Sequence, residues 1–179
     1  MGRKLYLLES MKLKKGDTFE FGVWKEQPIE WQVLATRGSI LCISKYSIEK
    51  RRFDEESDVW KNSELRQWLN SDFYNKAFNS EEKSFLQPYE GDKVTLLSEE
   101  EAKKYLPSKS KRIANFKDGS REWWLQWWWL RSRVSYDLCA ATVHIDGSIY
   151  NGYVNDDSGC VRPVILLRKD VENYLEPEA

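Results

Sequence analysis

Residues 123–130 read Trp-Trp-Leu-Gln-Trp-Trp-Trp-Leu, and this run constrains the fold more than any other part of the chain. The chain contains nine tryptophans, and five of them lie in this run. The run is much shorter than the ~20 apolar residues that a membrane-spanning helix needs. Two interpretations remain open: a strand that is buried on both faces, or a strand that also presents a cluster of tryptophans at the surface.

The overall composition is typical of one globular domain. The chain has 179 residues, of which 41% are hydrophobic and 32% charged, and its formal net charge is −1. We therefore expect a single domain over residues 1–179, with a core in about residues 15–167 and a charged, frayed C-terminal tail. The near-zero net charge argues against a nucleic-acid-binding protein. We expect no membrane span, and the absence of a recognisable signal peptide favours a cytoplasmic location.

The N-terminal third is predicted to form strands. Apolar residues occupy alternate positions in residues 18–23 and again in residues 29–34, as in strands with one buried face. A third apolar run, 40–43, follows the turn signal Gly38-Ser39. These segments predict a meander of three antiparallel strands.

The middle of the chain is predicted to form short helices. Ser63 is a candidate N-cap, Asn70-Ser71-Asp72 would interrupt its helix and start a second one, and Asn79 would start a third. Ser98 and Glu101 form a capping box for a further helix. The basic segment 108–122 is predicted to be a solvated loop rather than a patch for an anionic partner. Strands with short helices in the middle of the chain predict the α+β fold class.

The C-terminal part is predicted to return to strands. Asp146-Gly147 and Asn151-Gly152 are hairpin-turn signals. Residues 161–167 close the domain as one strand, and Pro163 restricts that strand to an edge or a bulge at this point.

The sequence lacks the motifs of common catalytic and metal sites. There is no glycine-rich phosphate loop and no nucleophile elbow. The single histidine, His144, has no identifiable catalytic partner, and the aspartates at 146, 156 and 157 lack the spacing of a calcium loop. We therefore expect no catalytic residue, no metal, no cofactor and no enzymatic activity.

The three cysteines, at positions 42, 139 and 160, have no C-x-x-C spacing, which disfavours a zinc site. Cys42 lies in an apolar run and is predicted to be a core residue. Cys139 and Cys160 would form a disulfide only in an oxidising compartment, so this pairing stays open.

Residues 133–158 are rich in Tyr, Ser, Asn, Asp and Gly. Tyrosine provides a large, rigid contact surface, and small polar residues provide adaptable hydrogen bonds, so this composition is typical of protein-binding surfaces. An ordinary hairpin whose polar residues face water has the same composition, and the residues alone do not separate the two interpretations.

Several motifs in a fixed order resemble a known family. They are Gly16-Asp17-Thr18-Phe19-Glu20-Phe21-Gly22 with Pro28-Ile29-Glu30-Trp31-Gln32-Val33-Leu34, Trp60-x-x-Ser63-x-Leu65-Arg66-x-Trp68-Leu69-Asn70 with Phe73-Tyr74, Leu96-Leu97-Ser98-x-Glu100-Glu101-Ala102, Trp128-Trp129-Leu130-Arg131-Ser132, Ala140-Ala141-x-Val143, Asp146-Gly147 and Val161-Arg162-Pro163. Together they resemble a bacterial and phage domain family of unknown function with a C-type-lectin-like fold. Similar domains include the variable proteins of diversity-generating retroelements, in which error-prone reverse transcription rewrites surface codons.

This resemblance implies a ligand-binding protein with a variable surface on a lectin-like scaffold, in a cytoplasmic or phage-associated setting. Its partner would be a protein or another macromolecule. The frame would be residues 129–132 and 160–163, with Arg131 and Arg162 in structural roles. The binding surface would consist of Arg133, Ser135, Tyr136, Asp137, Thr142, His144, Tyr150, Asn151, Tyr153, Asn155 and Asp157.

The sequence also departs from the family pattern. Cys160 replaces the usual glycine of the closing motif, the tryptophan run is longer than expected, and the calcium motifs of sugar-binding lectins are absent. An alternative function is therefore a fixed-specificity module of a bacterial or phage assembly, with the tryptophan run as its interface. A third hypothesis is an enzyme related to the formylglycine-generating proteins of this fold, but no suitably paired cysteines are evident.

Overall fold

The computed structural model describes residues 12–119 and 126–175, which form two five-stranded sheets and several short helices. The α+β fold class is thus confirmed. The strands are β1 (Thr18–Trp24), β2 (Gln27–Ala35), β3 (Ser39–Ser44), β4 (Glu49–Lys50), β5 (Leu86–Gln87), β6 (Trp128–Arg133), β7 (Cys139–Val143), β8 (Ile149–Tyr153), β9 (Cys160–Val161) and β10 (Val164–Arg168). The α-helices are α1 (Glu64–Trp68), α2 (Tyr74–Ala77), α3 (Ser80–Phe85), α4 (Glu99–Tyr105), α5 (Lys109–Arg112) and α6 (Val171–Tyr174). No helix within these two ranges is long and apolar enough to cross a membrane.

The first sheet has the strand order β1-β2-β3-β10-β5. Its first three strands are the predicted antiparallel meander, with Phe19 opposite Trp31 and Val33 opposite Cys42. The C-terminal strand β10 then pairs antiparallel with β3. The last long strand of the chain is therefore held in the same sheet as its first three strands.

The second sheet has the order β4-β9-β6-β7-β8 and contains the described part of the tryptophan run. Trp128, Trp129 and Leu130 in β6 are all completely buried, with Trp128 in one hydrophobic cluster and Trp129 in the other. The prediction of a strand buried on both faces is confirmed for these residues. Trp123 and Trp124 lie outside the described residues.

The predicted closing strand over 161–167 is divided into two strands that belong to different sheets. β9 lies between β4 and β6 in the second sheet, whereas β10 lies between β3 and β5 in the first. The chain crosses between the sheets at Arg162-Pro163, where proline has no backbone N–H to continue a ladder. The prediction of one strand was wrong, and Pro163 marks the point of division.

Arg162 is buried at this crossing and contacts both sheets. Its Nε and Nη2 donate to the Ser44 carbonyl at the end of β3, at 3.1 and 2.9 Å, and Nη2 also reaches the Lys45 carbonyl. Its guanidinium lies 4.8 Å from the centre of the Trp128 ring in β6. Burial lowers the pKa of Arg162 to about 10, so the side chain stays charged at neutral pH.

The other expected frame arginine, Arg131 in β6, joins the second sheet to α4. It forms a bidentate ion pair with Glu101, and its Nη1 also donates to the Leu96 carbonyl. Burial disfavours the charged form of Glu101, but hydrogen bonds from Arg131, the Ser98 backbone and Tyr89 outweigh it. The pKa of Glu101 is therefore lowered.

Local capping signals located the helices well. Ser63 accepts from the Arg66 backbone N–H, and the N-caps Asn79 and Ser98 both form complete capping boxes. The predicted interruption at 70–72 was wrong, because a π-helical turn over Leu69–Phe73 connects α1 directly to α2. This turn buries both Leu69 and Phe73, and the gain from that burial offsets the poor helix propensity of Asn, Ser and Asp.

Two segments that were predicted to be solvated are partly packed. Residues 109–112 form α5, and Arg112 is buried, with Nε donating to the Gly147 carbonyl and Nη1 to the Leu106 carbonyl. In the C-terminal tail Val171 is fully buried, and the Glu172 carboxylate accepts from the Leu13 backbone N–H at 2.8 Å. Val171 and Glu172 in the described part of the tail are thus packed against the domain.

We predict that Arg162→Lys lowers the free energy of unfolding by about 2–3 kcal/mol. Lysine keeps the charge, but it loses the planar contact with Trp128 and cannot reproduce the forked hydrogen bonds to Ser44 and Lys45. The matched control is Arg168→Lys, because Arg168 is exposed and pairs with Asp170; we expect a change within about 0.5 kcal/mol. Urea denaturation of both variants provides the measurement, and equal effects would contradict the role assigned to Arg162.

Candidate functional site

β8 forms one open edge of the second sheet, and the two-residue strand β4 forms the other. β8 pairs antiparallel with β7 along its full length, from Val143 opposite Ile149 to Cys139 opposite Tyr153. Within the described residues no strand pairs with its other side. Edge strands commonly carry lysine, proline or a bulge that discourages pairing with other chains, but β8 reads Ile-Tyr-Asn-Gly-Tyr. It is therefore an uncharged edge that offers backbone donors and acceptors to a partner.

The same type of turn lies at each end of β8. Before the strand, the Asp146 carboxylate accepts from the Ser148 backbone N–H at 2.9 Å and from the Ser148 hydroxyl. After the strand, Asp156 makes the equivalent two bonds with Ser158. Asp146-Gly147 is the predicted hairpin turn, whereas the prediction at Asn151-Gly152 was wrong because both residues lie inside β8. These aspartates therefore act as turn formers.

Most of the sequence-predicted binding residues lie along this edge and in the segments that flank it. Nine are exposed, Asn151 is half-buried and Thr142 is buried. The exposed ones are Arg133, Ser135, Tyr136, Asp137, His144, Tyr150, Tyr153, Asn155 and Asp157.

The prediction that Thr142 lies on the binding surface was wrong. Alternation along the strand had predicted that its side chain points outward. It is 2% exposed and lies between Trp129 of β6 and Tyr150 of β8. A Cβ atom added at Gly152 would stand 3.2 Å from Thr142 Cγ2 and 3.4 Å from the Trp127 ring, so these groups are packed closely together. β7 is an internal strand, and all of its residues are buried. Its two faces pack into two different hydrophobic clusters, so neither face meets solvent.

The edge carries an unusual share of the exposed apolar surface. Seven large apolar side chains of the described residues are exposed, and four of them are Tyr136 (65%), Leu138 (50%), Tyr150 (65%) and Tyr153 (69%). Leu138 was missed by the sequence analysis, because an isolated leucine beside a strand is normally assigned to the core. Leu138 has a positive φ of 55°, which directs its side chain out of the β6–β7 connection. A positive φ is uncommon at leucine, so the sequence does not indicate this conformation.

The structure brings these residues together as two groups at opposite ends of β8. His144 and Tyr150 form an edge-to-face contact with ring centres 6.2 Å apart near the β7–β8 turn. Tyr153 lies at the other end, and the backbone N–H of the next residue, Val154, donates to the Leu138 carbonyl at 2.9 Å. Because side chains alternate along a strand, Tyr150 and Tyr153 project from opposite faces of β8. A partner strand added to this edge would therefore contact one tyrosine on each face.

The charge around the edge is mainly negative. Asp137, Asp146, Asp156 and Asp157 are all exposed. Two cations lie nearby: Arg133, whose Nε forms an ion pair at 3.1 Å with the largely buried Asp58, and Lys109 of α5, whose backbone lies against the Asp146-Gly147 turn. This distribution favours a partner that carries basic residues.

The described residues do not assemble a recognisable metal or thiol site. They contain no cluster of three or more His, Cys, Asp or Glu side chains that could hold a metal ion. All three cysteines are buried thiols. Burial raises the pKa of the Cys160 thiol to about 11, and burial together with Asp58 and Asp137 raises the pKa of Cys139.

Comparison with known proteins gives a family but no activity. The sequence profile of a family described as "Domain of unknown function (DUF6273)" matches residues 37–169, well over half of the chain. This span includes β3 to β10 and every predicted surface residue. No curated protein and no solved structure shows significant similarity to the chain.

We predict opposite outcomes for lysine substitutions at two residues that face each other across β7 and β8, Thr142 and Tyr150. Tyr150→Lys should change the free energy of unfolding by no more than about 0.5 kcal/mol, because the side chain already lies in water. Thr142→Lys should cost more than about 3 kcal/mol or prevent folding, because it buries a charge without a partner. Thermal unfolding of both variants tests this difference, and a tolerated lysine at 142 would contradict the position described for Thr142.

Proposed function

The chain belongs to the DUF6273 family of unknown function, and we propose that it is a binding protein that recognises a protein partner through the β8 edge of its second sheet. The observation that carries this proposal is the exposure of Tyr150 and Tyr153 on an uncharged edge strand, together with the exposure of Tyr136 and Leu138 in the β6–β7 connection. Apolar side chains that are exposed together commonly mark interaction sites. Tyrosine is well suited to this role because it provides contact area at a low cost in side-chain entropy.

The edge also suggests how the partner binds. An extended segment can add to β8 by backbone hydrogen bonds, while its alternating side chains meet Tyr150 on one face and Tyr153 on the other. The aspartates at 137, 146, 156 and 157 would attract basic side chains in that segment. The proposed ligand is therefore an extended, basic segment of another protein.

The finer proposal follows from the family resemblance. The scaffold would be a C-type-lectin-like domain, and the exposed positions would form a surface that varies among copies of the gene. Support comes from the exposure of nine of the eleven predicted positions. An interface centred on the tryptophan run has less support, because Trp128 and Trp129 are completely buried.

Selection from a library of displayed random peptides tests the binding proposal. We expect the recovered peptides to be basic, and to lose at least about tenfold in affinity for a Tyr136→Ser, Tyr150→Ser, Tyr153→Ser variant, since exposed aromatic anchors commonly dominate binding energy. A second triple variant, Val23→Ser, Val59→Ser and Ile113→Ser, removes three exposed apolar side chains that lie outside residues 133–158 and serves as the matched control. Thermal unfolding of both variants verifies that they fold.

Recovered peptides that bind the tyrosine variant as tightly as the original protein would contradict the proposed surface. If the peptides instead lose affinity for the control variant, the binding site does not lie on β8. Asp137→Asn with Asp157→Asn then tests the charge argument, because affinity for basic peptides should fall and depend less on salt.

DNA sequence around the gene tests the variable-surface proposal. We expect a near-copy of the segment that encodes residues 131–162, differing mainly where the copy has adenine, close to a reverse transcriptase gene. If no copy exists, variation by this mechanism is excluded and the edge has a fixed specificity. The peptide experiment does not depend on this result, so the two proposals can fail separately.

A further inference from the structure

A cleft lies between three segments that take no part in the β8 edge. It is formed by the β1–β2 hairpin, residues 46–48 and residues 116–118, and it has a volume of about 480 Å³. Small-molecule sites in proteins commonly have volumes of ~300–1,000 Å³ and mainly apolar walls with a few polar groups. The size of this cleft is therefore appropriate for a small organic molecule.

Aromatic rings provide its walls. Trp24, Tyr46 and Phe116 line the cleft with Ile29 and Ile48, and the three rings are half-buried. Trp24 is held in place from behind, because its ring packs edge-to-face on Trp68 with centres 5.5 Å apart. Half-buried rings keep one surface available, and a fixed ring can bind a planar molecule without loss of side-chain entropy.

Lysines stack on the other two rings. Lys45 Nζ lies 5.3 Å from the centre of the Tyr46 ring, and Lys50 Nζ lies 5.8 Å from the centre of the Phe116 ring. These contacts restrain the rings and also bring positive charge to the edge of the cleft.

Two acidic groups of this region, Glu30 and Glu49, are already bound by cations of the chain. The Glu30 carboxylate accepts from Lys45 Nζ at 2.7 Å, and this hydrogen bond lowers the pKa of Glu30. Glu49 forms ion pairs with Lys25 at 3.2 Å and Arg51 at 2.8 Å, and it also accepts from Trp24 Nε1. Neither carboxylate is available to hold a cationic ligand.

Cations outnumber acids around the cleft, although the whole chain has a formal net charge of −1. Lys25 and Lys117 line the cleft against Glu30 and Asp118, and the surplus comes from the residues that contact this lining, which are Lys45, Lys50 and Arg51 against Glu49. Lys117 is exposed at the rim, where its charge adds to the hydrogen bond from Lys45 in lowering the pKa of Glu30. Its ammonium group is positioned to bind an anion at the mouth of the cleft.

We propose that this cleft binds a small aromatic anion, with its planar ring between Tyr46 and Phe116 and its acidic group beside Lys117. The apolar walls explain why the ligand contains a ring, and the surplus of positive charge explains why it is acidic. This site is independent of the proposed protein-binding edge, because the two share no residue.

Fluorescence titration with two related dyes tests the proposal. Anilinonaphthalene sulfonate carries an aromatic ring system and an acidic group, whereas phenylnaphthylamine has the same rings without the acid. We expect one sulfonate dye to bind per chain, more tightly than the neutral dye. Lys117→Gln should lower the affinity for the sulfonate dye by about fivefold, as expected for the loss of one partly exposed charge contact. The affinity for the neutral dye should not change.

Two further variants separate the cleft from other surfaces. Phe116→Ser should lower the affinity for both dyes. Tyr46→Ser provides the same test if the first variant does not fold. Lys111→Gln, at an exposed lysine of α5 outside the cleft, and Tyr150→Ser, at the β8 edge, should change neither affinity. Thermal unfolding verifies that each variant is folded.

Three outcomes would overturn the proposal. If neither dye binds the folded protein, the cleft is not a site for aromatic molecules. If both dyes bind equally and Lys117→Gln affects neither, the site does not select anions. If Tyr150→Ser reduces binding while the cleft variants do not, the dyes occupy the tyrosine edge instead.

Discussion

The contact of Arg162 with Trp128 and with the end of β3 is the interaction on which the arrangement of the two sheets depends. The chain leaves the second sheet at β9 and enters the first at β10, and Arg162 occupies the step between them. Its guanidinium covers the Trp128 ring of one sheet and donates to the Ser44 carbonyl of the other. Removing a cation from water is costly, and the carbonyl dipoles and the ring face partly offset that cost. The two sheets are thereby fixed relative to each other, and so are the β8 edge and the cleft that they carry.

The sequence predicted the features that depend on a few adjacent residues. Ser63, Asn79 and Ser98 act within one helical turn, so their identity alone located three helix starts. The same is true of the alternation in β1 and β2 and of the Asp146-Gly147 turn, which also depend only on neighbouring residues. The chemical character of residues 133–158 also followed from their type, and nine of the eleven chosen positions are exposed.

The features that sequence analysis missed depend on contacts between distant segments. Thr142 is buried because it lies between β6 and β8 with Gly152 close to its Cγ2, which no pattern within β7 reveals. The π-helical turn at Leu69–Phe73 exists because both of its apolar residues reach the core. The cleft joins residues near positions 25, 47 and 117, which lie far apart in the sequence. The structure thus separates a tyrosine-rich edge from an aromatic cleft within the described residues.

The paired Asp-x-Ser turns at the two ends of β8 have a consequence for evolution. A strand whose register depends on its own side chains slips when those side chains change, and a slip of one residue reverses every face. In β8 the ends are held by Asp146 with Ser148 and by Asp156 with Ser158, outside the strand itself. The exposed side chains between these two clamps can therefore be exchanged without loss of alignment, provided that Gly152 stays small enough to cover Thr142. New side chains can in this way arise on β8 while the fold beneath it is inherited unchanged.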